Sequence, residues 1–183
     1  MKITPETIRL PDGRALTLRS PGPEDAAAMI EYMKTTAAET HYLTRWPEEV
    51  RQTPEGEAEF LRRHCEAPGM LMLALFEPGG RCAGNCGVSP HADKMKERHR
   101  ADFGIALIRD YWRLGLGSLL TDRAIRAARD MGFEQLELSC FSGNERALAL
   151  YRSKGFIECG RTPRAFKLKD GTCEDDVLMY LPL

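Results

Sequence analysis

The sequence predicts one mixed α/β domain spanning residues 1–183, and three observations carry that prediction. Apolar residues alternate in some stretches and recur every three or four positions in others. Glycine- and proline-rich turns separate these stretches. The resulting order is β, α, α, three β, α, β, α, two β, with no internal repeat and no low-complexity linker. A chain of 183 residues is long enough to bury one sizeable core.

The elements follow in chain order. Arg14 to Arg19 alternates as a strand after the turn Pro11-Asp12-Gly13. Pro23-Glu24-Asp25 opens a helix to about Glu39, its acidic first turn matching the helix dipole. Thr53-Pro54 starts a second helix, with Glu57 in its first turn, and Pro68-Gly69 ends it. Met70 to Phe76 is almost wholly apolar and precedes Pro78-Gly79-Gly80. Arg81 to Ser89 and Ala101 to Ile108 read as strands joined by an exposed, charged loop from His91 to Arg100.

From Gly115 the period changes. Leu116, Leu119, Leu120, Ala124, Ala127, Ala128 and Met131 form one stripe of an amphipathic helix that Gly132 ends. Leu136 to Cys140 alternates as a strand, Asn144 to Lys154 is helical, and Gly155 stops it. Ile157 to Leu181 holds two strands around the turn Lys169-Asp170-Gly171.

Composition excludes several classes. A formal net charge of −1 gives no global field to recruit nucleic acid or an anionic membrane. No apolar run approaches the roughly 20 residues needed to span a bilayer. Met1 to Glu6 lacks a signal-peptide pattern, so the expected location is cytoplasmic. The six cysteines suit reduced, structural roles, with Cys86 and Cys140 expected inside. Cys82 and Cys86 lack the further ligands of a zinc site, and no metal is expected.

Chemistry first shows at the junction after the strand Phe103 to Ile108, where Arg113-Leu114-Gly115-Leu116-Gly117-Ser118 enters a helix. Glycines let the backbone approach a bulky anion, and the first helical amides point outward unpaired. Such a junction suits a pyrophosphate, with Arg113 adding a cation. The spacing is neither the dinucleotide fingerprint, since position 120 is Leu120, nor a Walker loop. A tight turn into a helix would explain Gly115-x-Gly117 alone.

Further on stands Asn144-Glu145-Arg146-Ala147-Leu148-Ala149-Leu150-Tyr151-Arg152-Ser153-Lys154-Gly155-Phe156. Here the sequence resembles the GNAT superfamily of N-acetyltransferases, in which Asn-x-x-Ala-x-x-x-Tyr-x-x-x-Gly-Phe follows a strand and an upstream Gly-x-Gly. The resemblance covers about residues 14 to 183. It implies a central, mostly antiparallel sheet of about seven strands flanked by about four helices. It also implies transfer of an acetyl group from acetyl-CoA, as co-substrate, to a primary amine by direct attack in a ternary complex.

Site roles follow from the resemblance by position. Backbone groups of Ile105, Ala106 and Leu107 would pair with the pantetheine arm, and the Leu107 amide would hold the thioester oxygen. Amides from Arg113, Leu114, Gly115, Leu116, Gly117 and Ser118 would cradle the pyrophosphate. Asn144 would contact the cofactor or a bound water. Tyr151 would be the general acid that protonates the departing thiolate, the alternative being a half-buried aromatic on a helix. Trp112 stands where the family often has Gln or Arg, which places that one side-chain contact in question. Glu137 and Asp102 are the candidates for taking the amine's proton, and Cys140 need not be a nucleophile.

The tail from Gly160 to Met179 looks like a branch acting on free amino acids, polyamines or protein N-termini. The acceptor would lie against Tyr32 to Glu66, where His41, Tyr42, Trp46 and Glu48 form an aromatic and acidic wall or are simple packing residues. The partner is thus a small-molecule amine or a peptide N-terminus, with no nucleic acid and no membrane. A homodimer is compatible, although the sequence supplies no interface signal. Two other classes stay open: a catalytically silent acyl-CoA-binding module and a purely structural interaction protein.

Overall fold

The computed structural model describes residues 3–183. Eight strands form one sheet: β1 (Glu6–Arg9), β2 (Ala15–Arg19), β3 (Leu71–Phe76), β4 (Cys82–Pro90), β5 (Arg100–Leu107), β6 (Gln135–Phe141), β7 (Ile157–Lys167) and β8 (Cys173–Pro182). Four helices accompany them: α1 (Ala26–Glu39), α2 (Pro54–Glu66), α3 (Leu116–Asp130) and α4 (Glu145–Ser153). None of the helices is long and apolar enough to cross a membrane.

The strands lie in the order β1-β2-β3-β4-β5-β6-β8-β7. Every neighbouring pair is antiparallel except β5 and β6. The expected mostly antiparallel sheet with four helices is therefore observed, with one strand more than the sequence suggested. The addition is β1, an edge strand whose Glu6-Thr7-Ile8-Arg9 is mostly exposed. An edge strand held by one neighbour has little apolar alternation to display.

α1 and α3 cover opposite faces. The Tyr32 hydroxyl of α1 meets Asn85 Oδ1 at 3.0 Å, while the Cys86 thiol lies 3.7 Å from the Leu120 carbonyl of α3. Asn85 and Cys86 are consecutive on β4, so their side chains point to opposite sides of the sheet. Central β3 is covered on both faces, and Leu71, Leu73, Ala74, Leu75 and Phe76 are all buried. The α3 stripe read from sequence faces the core through Leu116, Leu120, Ala124, Ala127 and Ala128. α2 starts as its sequence signals, the Thr53 side chain accepting from the Gly56 amide at 3.1 Å.

One irregularity positions the site. β5 and β6 pair in parallel only from Arg100–Gln135 to Asp102–Glu137. Beyond this, β5 continues against β4 to Leu107 and β6 against β8 to Phe141. The sheet is split between them.

Candidate active site

The split leaves one edge of β5 facing a gap. The Ile108 amide donates to the Ala83 carbonyl of β4 at 3.0 Å, which fixes the alternation along the strand. In an antiparallel ladder, main-chain groups turn toward a given neighbour at every second residue. Ala106 and Gly104 therefore turn theirs to β4, and Ile105 and Leu107 turn theirs toward the gap. The Ala106 carbonyl also accepts the Tyr32 hydroxyl at 2.8 Å. Of the three residues expected to bind an arm as a strand would, Ile105 and Leu107 face the right way, and Ala106 lies between them with its main chain committed elsewhere.

Leu107 is modified by a neighbour. The Trp112 indole Nε1 donates to its carbonyl at 2.8 Å. The aromatic residue that departs from the family's usual pattern thus ties the loop before α3 back to the end of β5. Arg146 stacks on the other component of this contact, its guanidinium carbon 3.7 Å from the Trp112 ring centroid.

The loop between β5 and α3 starts with a 3-10 turn, Arg109–Tyr111. Arg113 at φ 63° and Gly115 at φ 80° then adopt left-handed conformations on either side of Leu114. For Arg113 this is uncommon backbone, the kind that collects at functional sites. Gly115 is the N-cap of α3; no side chain caps the helix and no acidic residue occupies its first turn. The amides of Leu116, Gly117 and Ser118 thus form the positive end of a fifteen-residue helix dipole. A Cβ on Gly117 would lie 3.3 Å from a Leu150 methyl of α4, so a small residue is required there for close approach.

Two cations meet at this end. Arg113 is exposed, and burial together with the Arg113 charge pushes the Arg146 pKa down. Arg146 also sits in the first turn of α4, where a positive charge opposes the helix dipole. That misfit is the sequence signal that marks Arg146. An anion placed here would relieve both conflicts.

On α4, Asn144 is the N-cap, its side chain accepting from the Ala147 amide at 3.2 Å. Its oxygen therefore has a structural role, while its amide nitrogen has no hydrogen-bond partner among the described residues. Tyr151 is buried at 7% exposure, with its ring edge-on to Phe103 at 6.3 Å. Its hydroxyl makes no hydrogen bond among the described residues and is not among the fully enclosed orphan atoms. Burial, with the Cys140 thiol adding to it, pushes the phenol pKa well above its ordinary value. At neutral pH Tyr151 is a protonated donor with no acceptor among the described residues.

The two carboxylates considered for proton removal are engaged elsewhere. Both Glu137 oxygens accept from Arg100, the Nη2 contact being 2.6 Å, and these hydrogen bonds hold the carboxyl below its usual pKa. Asp102 Oδ1 is 2.9 Å from His91 Nδ1. His91, Asp102 and Glu137 offer ligand atoms within 4.8 Å of one another, but the Arg100 guanidinium already supplies the cation. The Asp102–Glu137 pair lies three residues from Ile105, roughly 10 Å along the strand, and both carboxylates are already held by Arg100 and His91. Glu137→Gln is therefore expected to leave turnover within twofold while lowering stability by about 1 kcal/mol at pH 7. Its folded pKa is depressed, so the contribution exists above the unfolded carboxyl value and is lost as pH falls through the folded one. Melting curves of wild type and variant should converge in acid.

Cysteine chemistry is not indicated. All six thiols are free, and Cys82 joins Cys86 and Cys140 among the buried ones. Burial pushes Cys140 up to about 12, which keeps it an unreactive thiol.

The predicted wall residues make contacts that join distant elements. The Tyr42 hydroxyl donates to the Gly143 carbonyl at 2.8 Å, and His41 Nε2 lies 3.0 Å from Glu174 Oε1. Lys169 pairs with Glu48 at 2.5 Å and sits 4.6 Å from the Trp46 ring centroid. A cavity of about 440 Å³ opens instead between α1, α2 and the sheet, bounded by Tyr32, Arg45, Glu57, Phe60, Met72 and Ala106 among others. It lies within the Tyr32–Glu66 segment expected to meet the acceptor, yet through different side chains.

A split parallel pair beside an uncapped, cation-flanked helix defines an acyl-CoA-type transferase scaffold. Residues 33–156 match the model of the acetyltransferase (GNAT) family. The chain belongs to that family. It is 37% identical over 81 residues to the [ribosomal protein bS18]-alanine N-acetyltransferase of Escherichia coli K12, covering 44% of this chain and 54% of the relative. An Arabidopsis thaliana N-alpha-acetyltransferase, MAK3, is 31% identical over 96 residues, or 51% of this chain and 48% of the relative. The chain thus spans about half the length of the curated relatives it matches. A GNAT-family acetyltransferase of Streptococcus pneumoniae superposes with a TM-score of 0.86 at 28% identity, covering 92% of this chain and 99% of the other. The structure of yncA of Salmonella typhimurium, described as a putative acetyltransferase with its cofactor acetyl-CoA, shares the fold at 21% identity and TM-score 0.78, over 92% and 94% of the two chains.

Proposed function

We propose that this protein is an acetyl-CoA-dependent N-acetyltransferase acting on a primary amine of a small molecule or peptide. The observation that carries the reading is the β5 edge at Ile105 and Leu107, open to the gap and joined by the loop through Arg113 and Gly115 to the uncapped start of α3. Family membership and the family relatives named above support the same reaction class.

The chain's own groups divide the work. Amides at the start of α3, with Arg113 and Arg146 beside them, hold the pyrophosphate. Leu107 comes first along β5 from that end and Ile105 next, so an arm running back along the strand meets them in that order. The thioester then falls nearer Ile105, whose amide shares with Leu107 the task of holding the thioester oxygen. As the amine nitrogen attacks the thioester carbon, these donors stabilise the growing negative charge. The carbon–sulfur bond breaks, Tyr151 gives its proton to the leaving sulfur, and the proton shed by the amine passes to water.

Thermal melts with acetyl-CoA test binding, because a ligand of the native state raises the melting temperature. Release of free thiol across a panel of amines tests transfer. A stabilising shift with amine-dependent thiol supports the enzyme. A shift without thiol would identify a silent binding module, and no shift at millimolar acetyl-CoA would reject both.

A further inference from the structure

We propose that Glu57 anchors the acceptor, and that the cavity beside it selects a primary ammonium ion carried on an apolar body about the size of one amino-acid side chain. The inference rests on the acetyltransferase reading and extends it to the substrate.

Glu57 lies in the first turn of α2, a place where a carboxylate ordinarily points to solvent and complements the helix dipole. Here it is 5% exposed. Its carboxylate makes no hydrogen bond and no ion pair among the described residues, although the oxygens are not sealed off. Glu57 is one of the residues that line the cavity. Burial raises the carboxyl pKa, with the Arg45 charge opposing from a distance. Arg45 does not close the pair; its Nη1 lies 3.2 Å from the Met33 sulfur. Tyr32, the other ionisable group on the cavity, is committed to Asn85 and Ala106. A buried carboxylate without a partner costs stability, and proteins retain such a group where function requires it.

The rest of the lining defines what the cation carries. Met29, Met33, Phe60 and Met72 present apolar and polarisable surface, which suits an aliphatic or aromatic body and disfavours further charges. The floor reaches Ala106, the residue between the two that face the gap. Gly104, next on that face of β5, leaves open space above it, since a Cβ there would meet no atom within 4 Å. An amine held by Glu57 thus has a free path along β5 toward the thioester.

The test compares wild type with Glu57→Gln, using phenethylamine and hexylamine as acceptors and spermidine as the multiply charged control. Wild type should acetylate the two apolar amines and discriminate against spermidine. Glu57→Gln should raise KM for them by about tenfold or more, through loss of a charge-assisted contact. Its stabilisation by acetyl-CoA should match wild type, and without ligands it should melt higher at pH 8 because an unpaired charge is gone. A KM within twofold of wild type, a lower melting temperature, or a wild type that binds acetyl-CoA yet acetylates neither apolar amine would overturn the assignment. Absence of any acetyl-CoA shift in wild type would instead remove the transferase reading, and the anchor with it.

Discussion

Replacing Tyr151 with Phe is expected to lower kcat by about 10²- to 10⁴-fold, the range for losing a positioned general acid. Acetyl-CoA affinity should stay within twofold. The reasoning is local: the hydroxyl has no hydrogen-bond partner among the described residues, so removing it breaks no structural bond there. The ring would keep its edge-on contact with Phe103 and its 5.9 Å neighbour Phe156. Stability should therefore change little, and turnover alone should fall. The pKa direction adds a second readout. Because burial raises the phenol above its ordinary value near 10, turnover should show no alkaline decline from Tyr151 below that pH. A pH–rate profile of wild type checks this, and Tyr151→Phe with wild-type kcat would dismiss the acid role.

The second large effect is expected at Gly115. Its φ of 80° is left-handed, and a β-branched side chain there would cost about 1–3 kcal/mol or force the loop to rearrange. Either outcome turns the first α3 amides away from their common focus. Gly115→Val should weaken acetyl-CoA binding by about tenfold to a hundredfold, as calorimetry would read it. The fold should persist, since the position is exposed and a Cβ there touches nothing within 4 Å. Gly117→Ala provides the contrast: its new methyl meets only a Leu150 methyl at 3.3 Å, and a small shift accommodates it. An equal loss from both substitutions would argue that space, not backbone conformation, governs the junction.

Much of this architecture was legible in the sequence because burial imposes a period. The α3 stripe and the nearly continuous apolar run of β3 are direct records of the faces they cover. β1 left no such record, being an exposed edge. The junction was legible for another reason: Gly115 is demanded by its left-handed backbone, which only residue type can satisfy, and Gly117 marks the close approach of a Leu150 methyl.

What could not be read depends on where strands diverge and which way main-chain groups turn. The break in pairing after Asp102–Glu137 has no sequence mark, so Ile105, Ala106 and Leu107 looked equivalent. Trp112 looked like a departure from a pattern, whereas its indole holds the Leu107 carbonyl. In the sequence Glu57 is only a residue in the first turn of a helix, and packing of α2 over the cavity is what reveals its isolation. His41, Tyr42, Trp46 and Glu48 have binding-site composition but spend it on contacts between distant segments.

Titration calorimetry of the wild-type protein with acetyl-CoA and with S-acetylpantetheine, which has the arm and thioester but no pyrophosphate, examines the helix-end cradle most directly. The cradle predicts that acetyl-CoA binds at least about a hundredfold more tightly. Equal affinities for the two compounds, or no heat from acetyl-CoA, would contradict it.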